Sequence, residues 1–196
     1  MTRILLLGTR NAGKVAELRA LLNGLDVELR SVDELADPPP DPPEDAATYI
    51  ENAVFKARAY AHATGITTIA DDSGLEVNAL GGAPGVRSRR YFGEDIAPAD
   101  RNQMLLALLD GVTERSARFV SVIALAQPDG RVETFDGEVR GEIAFAPRGA
   151  DGFGYDPVFI IAGDGRTVAE LPPEEKNAIS HRGLAAAKLR AGLAGD

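Results

Sequence analysis

Residues 3–15 read RILLLGTRNAGKV, an apolar run followed by a glycine-bearing turn and the beginning of a helical pattern. Residues 4–9 are expected to form a buried strand, and residues 14–23 a helix carrying Val15, Leu18, Leu21 and Leu22 on one face. A strand, a turn and a helix in that order present backbone N–H groups and the positive end of a helix dipole at the turn, a good position for an anion. Gly8 to Lys14 also spells G-x-x-x-x-G-K, the phosphate-binding P-loop, but Val15 stands where that motif needs a hydroxyl to hold Mg²⁺. Three readings stay open on these residues alone: a P-loop without its hydroxyl ligand, a coincidence of spelling, or a different phosphate site.

Outward from this turn, strands and helices alternate. Residues 27–32 read as a second strand, and DPPPDPPED, with five prolines, as a stiff irregular loop. From 46 to 63 the spacing of Ile50, Val54, Ala57 and Ala61 predicts a long amphipathic helix on which Asn52 and Lys56 are neighbours four apart. ITTIADDSGLEV reads as a strand running into two aspartates, and NALGGAPG as a loop. Pro98 is expected to open a helix carrying Met104, Leu105, Leu108 and Leu109. Residues 117–126 alternate as a strand does, PDG at 128–130 signals a hairpin turn, and 139–145 read as another strand. DGFGYDPVFII joins a glycine-rich turn to a strand, and the last helical segments lie between 173 and 193. The expectation is an α/β protein with a mixed sheet, a single domain over residues 1–196.

Composition narrows the partners. The net charge of −9 has the wrong sign for a surface that tracks a long nucleic acid, whereas a small anionic ligand needs only a few local cations and a metal ion. The absence of cysteine removes thiolate metal sites, disulfides and cysteine nucleophiles, and two histidines cannot build a histidine-rich metal site. No apolar run approaches the roughly 18 residues needed to cross a bilayer, and a soluble cytoplasmic protein is expected.

Four clusters carry chemistry. The first is the turn at residues 11–14. The second is the set of carboxylates Glu44, Glu51, Asp71 and Asp72. Mg²⁺ takes hard oxygen ligands, often one or two carboxylates completed by water and phosphate, and Asp72 with Glu44 fits that recipe; solvation or helix capping is the plain alternative for any one of them. The third is FGYDP at 153–157, where two aromatics in a tight loop offer a ring face to a flat base, or simply pack beneath a turn. The fourth is EEKNAISHRG, with Lys176 and Ser180 four apart and His181 beside Arg182. Lysine as a point charge and arginine as a planar fork suit a phosphate and a base edge, while Ser180 as a helix cap is the alternative reading.

Taken in order, T-x-N-x-x-K at Thr9 to Lys14, YIENAVFKA, ADDSGLEVNALGGAPG, GFGYDPVF and EEKNAISHRG resemble the inosine triphosphate pyrophosphatase family, also called XTP/dITP diphosphatases or Ham1-like proteins. The resemblance covers essentially the whole chain. It implies hydrolysis of deaminated purine nucleoside triphosphates (ITP, dITP, XTP) to the monophosphate and pyrophosphate. It further implies an elongated mixed β-sheet flanked by helices, two lobes with a central cleft, and a homodimer. By position, Thr9, Arg10, Asn11, Ala12, Gly13 and Lys14 would line the substrate site. Glu44 and Asp72 would hold Mg²⁺, with Asp72 as general base. Ser73, Phe153, Gly154, Tyr155, Asp156, Lys176, His181 and Arg182 would bind substrate, and Lys56 is a further phosphate candidate. The prolines around Glu44 depart from the glycine-containing loop usual there. On this reading Val15 is a core residue and the P-loop spelling is coincidental. A Maf-type nucleotide diphosphatase and a nucleotide sensor without turnover are the alternatives; KNAISHRG speaks against the first, and the Asp72 and Glu44 carboxylates against the second. Arg182, which can only donate hydrogen bonds, is the natural reader of the C6 carbonyl that distinguishes hypoxanthine and xanthine from adenine.

Overall fold

The computed structural model describes residues 3–194. Its backbone forms six strands, β1 (Arg3–Leu7), β2 (Val27–Ser31), β3 (Thr68–Val77), β4 (Ser116–Ala126), β5 (Val132–Ile143) and β6 (Phe159–Ile161). Five α-helices accompany them: α1 (Ala12–Leu21), α2 (Tyr49–Thr64), α3 (Pro98–Leu108), α4 (Pro173–Ile179) and α5 (His181–Ala194). The strands make one sheet in the order β2-β1-β3-β4-β5-β6. It is mixed: β1 runs parallel to β2 with Arg3 opposite Val27, and parallel to β3 with Leu6 opposite Thr68, whereas β5 and β6 are antiparallel. Among the described residues no helix is long and apolar enough to cross a membrane.

The apolar run in β1 follows from burial on both faces, the usual condition of a central parallel strand. Leu5 and Leu7 join a core with Leu18 of α1, Leu22 just after it, Ile69 of β3, and Ala185 and Leu189 of α5. Leu6, on the opposite face, packs with Val32 and Tyr60 of α2. Val15 packs against the first of these cores. An apolar residue is required there, which accounts for its presence after Lys14.

The chain divides into two compact units. The first runs through Asp72 and takes in Ser121–Gly137 and the chain from Arg182 onward; the second comprises Ser73–Val120 and Glu138–His181. The second has its own core, in which Leu105 and Leu109 meet Leu75, Val77, Phe119, Ile143, Val158 and Phe159.

Several boundaries differ from the sequence expectation, each for a local reason. Helix α1 begins at Ala12 because the Asn11 side chain accepts from the Lys14 N–H and caps it. Helix α2 begins at Tyr49 rather than 46, since Thr48 caps it and the Ala46 N–H is taken by the Asn52 side chain. Strand β3 continues through both aspartates, so Asp71 and Asp72 lie within the strand rather than at its end. Strand β5 starts at Val132, seven residues earlier than its apolar pattern suggests, because sheet pairing overrides weak strand propensity in a polar segment. It stops at Ile143, leaving Phe145 exposed beneath the Arg115 guanidinium, 4.4 Å from the ring centre.

Where β5 meets β6, Gly141 pairs with Ile161, and a Cβ there would sit 2.0 Å from the Ile160 carbonyl oxygen and 2.8 Å from the Phe159 ring. Backbone on one side and a packed aromatic on the other leave little to yield. Gly141→Ala is therefore expected to destabilise the protein by about 1–3 kcal/mol, the usual cost of overpacking. Urea unfolding at equilibrium measures it, and an unchanged midpoint would show that β6 shifts freely.

Candidate active site

In the first unit β3, the helices α1, α2 and α5 and the proline-rich loop bring a set of charges together. The turn after β1 is self-braced: Thr9 Oγ1 accepts the Asn11 N–H at 3.2 Å, and Asn11 Oδ1 accepts the Lys14 N–H at 3.2 Å. Ala12 and Gly13 form the first turn of α1. Lys14, with a largely buried side chain, extends its ammonium to Asp71, 3.1 Å from Oδ2 and 3.3 Å from the carbonyl oxygen. Lys56, on α2, donates to that same carbonyl at 2.7 Å and is ion-paired with Glu44.

Asp72 is nearly buried, and its Oδ2 accepts from Asn52 Nδ2 at 2.9 Å. Asn52 thus joins two parts of the site, because its Oδ1 takes the Ala46 N–H just beyond Glu44. Arg182 is buried; its Nε and Nη2 donate to Asp71 Oδ2 at 3.1 and 3.0 Å, and its Nη1 donates to Glu17 of α1. Arg10 turns to the proline-rich loop, where Asp41 and the Pro39 carbonyl hold its guanidinium together with Asp33 from the turn after β2. Tyr60 adds a bond to Asp41 at 2.6 Å, so the loop is anchored although it has no regular structure.

The electrostatics divide these carboxylates into different kinds. Burial works against the charge of Asp71, yet Lys14, Arg182 and Lys56 override it and hold its carboxyl well below the usual range. Burial opposes the Glu44 charge too, and the Lys56 ammonium more than offsets it, so Glu44 is also held low. At Asp72 burial wins: Lys56, Lys14 and Asn52 only partly offset it, and the carboxyl sits above its ordinary value. Burial likewise lowers the Lys14 ammonium against the pull of Asp71. A carboxylate moved toward neutral pH is a stronger proton acceptor than an ordinary one.

The second unit holds the other cluster. Asp156 Oδ2 accepts the Phe153 N–H at 2.8 Å and the Lys176 ammonium at 2.6 Å, with both partners of the ion pair buried. Gly152 makes this possible, since its φ is +77° and a Cβ would lie 2.2 Å from Asp156 Oδ2. The Lys176 ammonium stands 4.9 Å from the centre of the half-buried Phe153 ring. The Gly154 carbonyl is held by Asn102 Nδ2 of α3 at 3.1 Å. Tyr155 instead packs in the core and donates its hydroxyl to the Ser88 carbonyl at 3.0 Å, so only its backbone belongs to the loop surface. His181, first residue of α5, stacks on Phe119 with centres 4.7 Å apart, and Ser180 before it closes α4. Ser73 is half-buried in β3.

The structure thus gathers Lys14, Glu44, Lys56, Asp72 and Arg182 in one unit, and Phe153, Gly154, Asp156 and Lys176 in the other. The sequence pattern does not single out Glu17 or Asn102, marks Asn52 only as the neighbour of Lys56, and places Asp71 among the carboxylates without a role of its own. The i to i+4 spacing of Asn52 and Lys56 was the one local signal available.

Comparison with known proteins bears on the whole chain. Residues 5–192 match the Ham1 family. A dITP/XTP pyrophosphatase of Geobacter sulfurreducens is 49% identical over 192 residues, covering 97% of this chain and 96% of that one. One from Symbiobacterium thermophilum is 51% identical over 187 residues, 94% and 91% of the two chains. Among solved structures, a HAM1 protein from Coxiella burnetii superposes with a TM-score of 0.90 at 42% identity, covering 99% of this chain and 100% of that one. The Staphylococcus aureus Ham1 protein gives 0.88 at 40% identity, with 98% and 99% covered. With a family match over residues 5–192, near-complete coverage in both directions and the same mixed α/β architecture, this chain belongs to the Ham1 family.

Proposed function

We propose that the protein is a hydrolase that converts dITP, ITP and XTP to the nucleoside monophosphate and pyrophosphate, clearing deaminated purine nucleotides from the cytoplasmic pool as a Mg²⁺-dependent homodimer. The observation that carries this reading is the convergence of lysines and carboxylates on β3: Lys14 and Lys56 both donate to the Asp71 carbonyl oxygen, at 3.3 and 2.7 Å, Lys56 is ion-paired with Glu44, and the adjacent Asp72 is oriented by Asn52 at 2.9 Å.

The donor chemistry fits a hard divalent cation. Glu44 and Asp72 offer carboxylate oxygens, and among the described residues no three His, Asp or Glu side chains come together as an all-protein cage would require. Two carboxylates completed by water and phosphate are a usual Mg²⁺ arrangement. Bound there, the ion would offset triphosphate charge. The chain's own groups do the rest: Asp72 accepts a proton from the attacking water, which adds to the α-phosphorus as the bond to the bridging oxygen breaks and pyrophosphate leaves. Lys14 and Lys56 balance the phosphate oxygens, and Asn52 keeps Asp72 oriented. We assign substrate contacts in the first unit to Thr9, Arg10, Asn11, Ala12, Gly13, Lys14, Lys56 and Arg182, and in the second to Ser73, Phe153, Gly154, Tyr155, Asp156, Lys176 and His181.

A nucleotide panel with Mg²⁺, assayed for phosphate and pyrophosphate separately, tests this. ITP is expected to give IMP and pyrophosphate in one step. ATP is expected to be about a hundredfold poorer in kcat/KM, because two unmatched buried polar groups cost about 1–3 kcal/mol each. Accumulation of IDP with free phosphate, or equal kcat/KM for ITP and ATP, would overturn the assignment.

A further inference from the structure

Asp71 and Asp72 are neighbours in β3, and alternate residues of a strand leave opposite faces. Asp72 meets Asn52, whereas Asp71 Oδ2 receives Lys14 and both Nε and Nη2 of Arg182. The Asp71 carbonyl oxygen accepts from Lys56 as well as Lys14. One residue with no exposed surface therefore touches three cations supplied by α1, α2 and α5. The arrangement closes on itself, because Arg182 also bonds Glu17, three residues beyond Lys14 on α1. Lys14, Asp71, Arg182 and Glu17 thus form a ring that ties the first turn of α1 to β3 and to the start of α5. Asp71 Oδ1 is buried with no hydrogen-bond partner among the described residues, so the carboxylate is committed through a single oxygen.

From this geometry we infer that Asp71 is a positioning residue for the reaction: it fixes the Lys14 ammonium, and through Arg182 the first turn of α1, in the place where the triphosphate is received. A lysine ammonium sits on a flexible four-carbon stem and is held only by what it touches. With Asp71 in place the cation is aimed before substrate arrives. Without it, Lys14 must be ordered at the expense of binding. The inference rests on the proposal that Lys14 binds phosphate. A contact made alike in the ground and transition states appears in KM rather than kcat, which gives Asp71 a signature different from that of Asp72.

The test is steady-state ITP hydrolysis with Mg²⁺ by the wild type, Asp71→Asn, Lys14→Met and the double variant, with thermal unfolding of each. Asp71→Asn is expected to raise KM about tenfold and change kcat less than about threefold, and its effect on KM should shrink below about threefold in the Lys14→Met background. An unchanged KM, or the same rise in both backgrounds, would overturn the inference. Should Asp71→Asn not fold, the pair Asp71→Asn with Arg182→Gln, which replaces both charges by amides, is compared with Arg182→Gln alone; a KM rise of about tenfold supports the assignment and equal KM values reject it. Wild-type conversion of ITP to IMP and pyrophosphate in the same assay separates the two readings: its failure overturns the proposed function and this inference with it, whereas normal conversion with a silent Asp71→Asn overturns this inference alone.

Discussion

Asp72→Asn is expected to lower kcat for ITP about a thousandfold, within the range of about 10²–10⁴ that a general base contributes, and to leave the fold intact. The side chain keeps its shape, and the amide oxygen can still accept from Asn52 Nδ2 as Asp72 Oδ2 does at 2.9 Å. Burial already raises this carboxyl, so exchanging it for a neutral group removes a desolvated charge rather than a stabilising one. A proton acceptor acts in the transition state, hence kcat and kcat/KM should fall together. Single-turnover ITP hydrolysis beside thermal unfolding decides the matter. A variant that turns over near the wild-type rate would reduce Asp72 to a strand residue, and one that loses its cooperative transition would show that the charge is structural.

What could be read from the sequence was what local pattern controls. The unbroken apolar run of β1 announced a buried strand, and Leu5, Leu6 and Leu7 are each without exposed surface. The spacing of apolar residues located α1, α2 and α3, and the five ordered motifs supplied the residues proposed for the site. Long-range pairing was hidden. Nothing near Arg10 indicates that it is bound by Asp41, thirty-one residues away, and nothing near Arg182 points to Glu17, 165 residues earlier. The two aspartates are identical in type and adjacent in sequence. Strand alternation and different neighbours give one a depressed and the other a raised pKa, a distinction that spelling cannot carry. Tyr155 illustrates the same limit in reverse: a motif aromatic that belongs to the core because its hydroxyl finds the Ser88 carbonyl.

Arg182→Ala is expected to cost about 3–5 kcal/mol of stability, the usual result of removing one partner from a buried ion pair. The Arg182 side chain is 2% exposed, and its partners, Asp71 and Glu17, have side chains 0% and 13% exposed. Truncation removes the guanidinium from both carboxylates: Asp71, wholly buried, keeps Lys14 at 3.1 Å, and Glu17 is only slightly open to solvent. For a chain of this size about 2–4 °C of melting temperature accompanies each kcal/mol, so a drop on the order of 10 °C is expected. Arg182→Lys should recover only part of it, since an ammonium cannot offer the planar fork that meets Asp71 through Nε and Nη2 and Glu17 through Nη1. Activity then distinguishes a strut from a substrate contact. Measured at a temperature where the variant is fully folded, Arg182→Ala should slow ITP hydrolysis more than ATP hydrolysis, because a donor facing the C6 carbonyl helps only the purines that carry one. A lowered melting temperature with an unchanged ITP to ATP ratio would leave Arg182 as the internal brace of Asp71 and Glu17 and place base recognition on other groups.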